Sequence, residues 1–228
     1  MAKSKSPMTI MVSSTVYGIE EHLDQVYALL GGFGYEVWMS HKGTVPIYPN
    51  QTALESCLTA VSKCSLFLSI ITPRYGSGVL DGELSITHQE LLKAIELRRP
   101  RWVLAHSNVV FARSLFRKLG AKNQKQREEL LGKLGFSDTA ALKKLRQSEE
   151  LVLDDFRTID MYEAAIRHDL KTYQDRTGNW VQKYEAIPDV NLFAKSQFSR
   201  YRQVEAFLNE QFLNQDAVRV GTSTEKPK

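Results

Sequence analysis

Residues 65–72 read SLFLSIIT, and the fold turns on how they are read. A strand with one wet face alternates apolar and polar side chains. This stretch is apolar almost throughout, so both of its faces must be covered. That is the position of a central strand in a parallel sheet, and it requires helices on either side.

The flanking sequence supplies them. MTIMVSS (8–14) is a short β-branched strand running into serines. Ile19, Leu23, Val26, Tyr27 and Leu30 then recur at helical spacing, and GGFG stops that helix. YEVWMS (35–40) is a second strand, HKGTVPIYPNQ a loop, and 52–64 a second amphipathic helix. After SLFLSIIT comes a Gly-rich loop, a third helix over 87–98 and a fourth strand, RWVLAHS (101–107). Strictly alternating strands and helices predict a doubly wound parallel α/β sheet of about five strands with right-handed crossovers.

Beyond His106 the pattern loosens. NVVFARSLFRKLG, NQKQREELLGKLG and SDTAALKKLRQSEE read as two or three short helices. LVLDDFRTIDMY reads as a fifth, edge strand near 155–160. VNLFAKSQFSRYRQVEAFLNEQF reads as one long terminal helix that must bury a face, on the sheet or on a second copy. The expected organisation is a disordered tail at 1–7, an α/β core at 8–107, a mostly helical extension at 108–215 and a disordered tail at 216–228.

The bulk composition narrows the function. The 228 residues are 43% hydrophobic and 25% charged, ordinary values for a globular chain. No apolar run reaches the roughly 20 residues of a membrane span, and MAKSKSPM is followed by no secretory signal; a cytoplasmic location and no membrane partner are expected. The net charge of +4 sits mostly in the tails. Residues 113–147 are rich in lysine and arginine, but their amphipathic helices and the acidic residues that follow argue against nucleic acid. Cys57 and Cys64 share one helix face and read as small buried apolar groups, without disulfide or zinc spacing.

In an open α/β sheet, ligands bind beyond the carboxyl ends of the strands, where neighbouring connections diverge. With strand order 2-1-3-4-5 that crevice lies between the first and third strands. Its mouth would hold Ser13, Ser14, Thr15 and Tyr17 after the first strand, and Arg74 and Tyr75 after the third. Thr87, His88 and Glu90 would sit on the first turn of the third helix, with His41 and Lys42 at the rim. Thr87-x-x-Glu90 also matches a capping box, which would fold the Glu90 carboxylate back on its own helix. A site with a cap inside it is the expectation.

The sequence lacks G-x-G-x-x-G after the first strand, G-x-x-x-x-G-K-[ST] anywhere and G-x-S-x-G, which argues against dinucleotide-fold, phosphate-loop and serine-hydrolase chemistry. One carboxylate, hydroxyls, aromatics and an arginine remain. Such a set suits cleavage of a glycosidic bond at a nucleotide's ribose, through an oxocarbenium-like cation that the carboxylate stabilises.

The same residues carry a resemblance. VSSTVYGIEEHL, GYEVWMSHKGT, CLTAVSKCSLFLSIITPRYGSG, SITHQELLKAIELRRPRWVLAH and VVFARSLF together resemble the bacterial TIR-like domain-of-unknown-function family, with its SST strand-loop, RYGS loop and SIT-x-x-E helix start. The resemblance covers roughly residues 8–116. It implies a flavodoxin-like TIR fold and an NAD-processing enzyme of bacterial anti-phage defence. Glu90 would then be catalytic and Ser13, Ser14, Thr15, Tyr17, Arg74, Tyr75 and His88 substrate-binding. NAD would be substrate, no cofactor or metal would be needed, and an effector protein would read the small-molecule signal. Val16, Tyr17 and His88 depart from many relatives. Two alternatives stay open: a non-catalytic interaction or nucleotide-sensing module, self-associating through the terminal helix, and a nucleoside-cleaving or base-exchange enzyme.

Overall fold

The computed structural model describes residues 6–76, 83–135, 153–167, 170, 172, 174–176 and 179–210. Its strands are β1 (Thr9–Ser14), β2 (Glu36–Trp38), β3 (Leu66–Ile71), β4 (Arg101–His106) and β5 (Asn179–Tyr184). They form one sheet in the order β2-β1-β3-β4-β5, with every pair parallel. The helices are α1 (Glu20–Gly32), α2 (Ala53–Lys63), α3 (Ile86–Glu96), α4 (Ser107–Lys118), α5 (Gln124–Lys133), α6 (Arg157–Ile166), α7 (Ile187–Phe198) and α8 (Tyr201–Leu208).

Strand alternation divides the core into two layers. On β3, Phe67 and Ile71 point to the face covered by α2, α3, α4 and α6. Leu66, Leu68 and Ile70 point to the opposite face, under α1 and α7. All six β3 residues are buried, as an apolar run of that length demands. On β1, Met11 belongs to the first face and Ile10 and Val12 to the second. The next residue in the odd series, Ser13, therefore faces the α2/α3 layer.

Two expectations of the C-terminal half are corrected. The edge strand placed near 155–160 is the helix α6. Thr158, Ile159, Met161 and Ala165 are buried at helical spacing, and the Asp155 carboxylate accepts from the Arg157 N–H at 2.8 Å to hold the first turn. The fifth strand is NWVQKY, which pairs with β4 from Arg101↔Asn179 to His106↔Tyr184. The long terminal helix is two helices, broken at Ser199 and Arg200. The first of them buries Val190, Phe193, Ala194 and Phe198 on this chain's own sheet. Phe198 packs edge-to-face on Trp102, with ring centroids 5.1 Å apart.

The basic stretch is partly absorbed into the core. Arg127 of α5 is buried and pairs with Asp160 and Glu163 of α6; Glu163 also takes Arg113 and Arg117 of α4. The helix expected in SDTAALKKLRQSEE lies outside the described residues, as do both tails apart from Ser6 and Pro7 at one end. No described helix is long and apolar enough to cross a membrane.

Candidate functional site

β1 sends the chain to α1 on one face of the sheet, and β3 sends it to α3 on the other. The divergence opens a crevice beyond their carboxyl ends. A cavity of about 370 Å³ occupies it, within the roughly 300–1,000 Å³ span of small-molecule sites.

Glu90 forms the cavity's acidic wall. It lies on α3, only 4% exposed, and lines the cavity together with Ser13, Ser14, Cys57 and Thr87. Ser13 Oγ donates to Glu90 Oε2 at 2.5 Å. The Cys57 thiol is a second, weaker influence on that carboxyl, and it stands 3.7 Å from the Ser40 hydroxyl. Burial pushes the Glu90 carboxyl up to about 7, against the opposing pull of the Ser13 hydrogen bond and the Cys57 thiol. The same burial, with the neighbouring Glu90 charge, raises the Cys57 thiol to about 11, so the thiol stays protonated.

The capping box expected at Thr87 and Glu90 does not form. Ser85 is the N-cap, its hydroxyl accepting from the His88 N–H at 3.3 Å. Thr87 is therefore inside the first turn and Glu90 the fifth helical residue. The carboxyl is not folded back on a helix end and meets Ser13, another cavity residue, instead.

The other candidate residues divide into two groups. Ser14 and Tyr17 line the cavity with Ser13, Tyr17 at the mouth with 63% of its surface exposed. Ser14 Oγ donates to the Ile70 carbonyl at 3.0 Å. Thr15, Arg74, Tyr75 and His88 do not reach the cavity wall. Thr15 Oγ1 donates to the Arg74 carbonyl at 3.0 Å and ties the two loops together. A Cβ at Gly76 would come within 2.9 Å of that oxygen, and Gly76 has φ +88°, so glycine is required on both counts. The Arg74 guanidinium lies over Gly18 and, among the described residues, makes no ion pair with Glu83; Asp81 lies outside them. Tyr75 and His88 are buried against each other, Tyr75 Oη to His88 Nδ1 at 2.8 Å. Burial holds His88 down at about 4, neutral, with Arg157 acting in the same direction.

Ser40, His41, Cys57 and Thr87 add to the polar part of the lining, and the rest of it is apolar. His41, expected at the rim with Lys42, does line the cavity, and both side chains share Asp24 Oδ1 at 2.8 Å. In the sequence Cys57 is legible only as an apolar residue. Its helix begins at the carboxyl-end side of the sheet, and that placement, rather than residue type, puts it at the site.

A domain family matches residues 9–171 of this chain, and its description is Domain of unknown function (DUF4062). The chain belongs to the DUF4062 family. The DUF4062 match spans the cavity residues on β1, α2 and α3 and ends ahead of β5. No curated protein matches this DUF4062 chain. Among solved structures, a conserved protein from Enterococcus faecalis V583 is similar over 84% of this chain and 99% of its own, at 9% identity and a TM-score of 0.39.

Proposed function

We propose that this chain cleaves the N-glycosidic bond between nicotinamide and ribose in NAD or a related nucleotide, with Glu90 as the catalytic carboxylate. One observation carries the reading. A buried glutamate lines the cavity at the sheet's divergence point, and among the described residues its carboxyl is hydrogen-bonded by the Ser13 hydroxyl and ion-paired with nothing. A pyridinium ring supplies the missing positive charge.

The chemistry then follows from where charge moves. As the C1′–N bond breaks, its electron pair leaves with the ring nitrogen and neutralises it. Positive charge passes to the ribose C1′ and ring oxygen, beside the Glu90 carboxylate, which attracts it in a site shielded from water. Water adds to C1′ and loses a proton, giving nicotinamide and ADP-ribose. Attack by the adenine ring in place of water gives a cyclic ADP-ribose. The cavity takes the nicotinamide riboside end, and the mouth at Tyr17 and His41 leaves room for the phosphates. Release of such a signal to an effector suits the anti-phage role that the TIR-like resemblance implies.

Nicotinamide release from NAD by the purified chain tests this directly. Wild type should turn NAD over and Glu90→Gln should lose at least about a hundredfold in kcat, as expected when a group stabilising a transition-state charge is removed. A wild-type chain that leaves NAD intact at every protein concentration would overturn the reading.

A further inference from the structure

The reaction proposed above gives Glu90 a task and leaves its nearest neighbour without one. Resting on that reading, we infer that Ser13 is a positioning residue whose hydroxyl aims the Glu90 carboxyl into the cavity and hydrogen-bonds the charge it carries.

The geometry limits what Ser13 can otherwise do. A hydroxyl has one proton to donate, and Ser13 gives it to Glu90 Oε2 at 2.5 Å, the short end of the range for a hydrogen bond to a carboxylate. Ser13 is itself buried, so its proton is not shared with bulk water. Ser14, one residue on, points across the strand and donates to a backbone carbonyl. Ser13 and Ser14 thus have different tasks, and neither has a free proton for a ligand.

The other groups around Glu90 leave this assignment to Ser13. From α2 come Cys57, protonated, and the deeper Cys64. The rim segment brings His41, already on Asp24 beside Lys42. On α3 itself His88 turns to Tyr75, and Arg157 of α6 stacks on that tyrosine's ring rather than reaching the carboxyl. Ser13 is the larger of the two hydrogen-bonding influences that oppose the cost of burying the carboxylate.

A matched pair of variants tests the inference. Ser13→Thr and Ser13→Val have nearly the same bulk and shape and differ in the hydroxyl; both are β-branched residues suited to a strand. The Glu90 carboxyl is titrated by infrared difference spectroscopy against Glu90→Gln, a readout that needs no activity. Ser13→Val should move the midpoint upward by about one pH unit, the scale of one lost hydrogen bond, and Ser13→Thr should stay near wild type. In nicotinamide release, Ser13→Val should lower kcat about tenfold at neutral pH, shift the acid limb of the pH profile upward and leave KM nearly unchanged. Should both branched variants fail to fold, Ser13→Ala makes the same deletion without added bulk. Equal midpoints for the variants with and without the hydroxyl would overturn the positioning role. A shifted midpoint in a chain that releases no nicotinamide would uphold it and remove the NAD reading instead.

Discussion

Tyr75 Oη and His88 Nδ1 share a hydrogen bond across 2.8 Å, while the same Tyr75 oxygen accepts from the Ser85 N–H at 3.3 Å. Burial holds His88 at about 4, so the imidazole of this pair is neutral. Around this pair, Tyr75 N–H donates to Asp154 and the Arg157 guanidinium stacks over the Tyr75 ring at 4.5 Å. The two residues brace the start of α3 against α6.

Removing the phenol oxygen should therefore act on folding. Tyr75→Phe leaves a buried imidazole nitrogen and the Ser85 N–H unsatisfied, an expected loss of about 1–3 kcal/mol. Chemical denaturation should show it as a lower midpoint at an unchanged slope. Ligand affinity, read by calorimetry under folding conditions, should hardly move, because neither ring lines the cavity.

The pH dependence of stability should be flatter than either buried group alone would make it. Glu90 rises from 4.5 to about 7 on folding, so between those values the native state holds a proton that the unfolded chain has lost, and stability falls as pH rises. His88 drops from 6.5 to about 4, so over that window the unfolded chain holds the extra proton and stability rises with pH. The windows overlap between 4.5 and 6.5 with opposite slopes. Glu90→Gln should unmask the histidine's rise and His88→Gln the carboxyl's fall. Each is on the order of 3 kcal/mol across its window, measured by urea denaturation at several pH values.

Phe198 ties the last part of the sheet to the first. It is fully buried, meets the rings of Trp102 and Tyr35, and its carbonyl accepts from the Tyr35 hydroxyl at 3.2 Å. Phe198→Ala should cost about 3–5 kcal/mol. A single cooperative transition at lower denaturant is expected, since α7 shares a core with α1.

The order of legibility in this sequence has physical reasons. β1 to β4 are readable because apolar runs such as SLFLSIIT admit one environment, and the strand order then places the crevice. The alternation that puts Met11 toward α2 and α3 also places Ser13 there, two residues on, so its meeting with Glu90 is implicit in the register. The cap is ambiguous in sequence because Ser85 and Thr87 are both good N-cap residues, and only the backbone distinguishes which is extended; Ser85 is, with ψ 154°. LVLDDFRTIDMY misleads because its β-branched and apolar residues suit either period. NWVQKY is easily passed over because an edge strand with Gln182 and Lys183 carries little apolar signal. Tyr75 and His88 are candidates by residue type; that they turn to each other is a tertiary fact.

β5 has one further consequence. It is the outer neighbour of β4, yet more than seventy residues separate Ser107 from Asn179 along the chain. On a ribosome, the half containing the cavity emerges with the β4 border uncapped and the α1 side of the sheet without α7. A chain trimmed for expression to the matched stretch 9–171 would freeze the protein at that stage, presenting a naked strand border that invites self-pairing. The portable unit for biochemistry therefore has to run at least through Phe198.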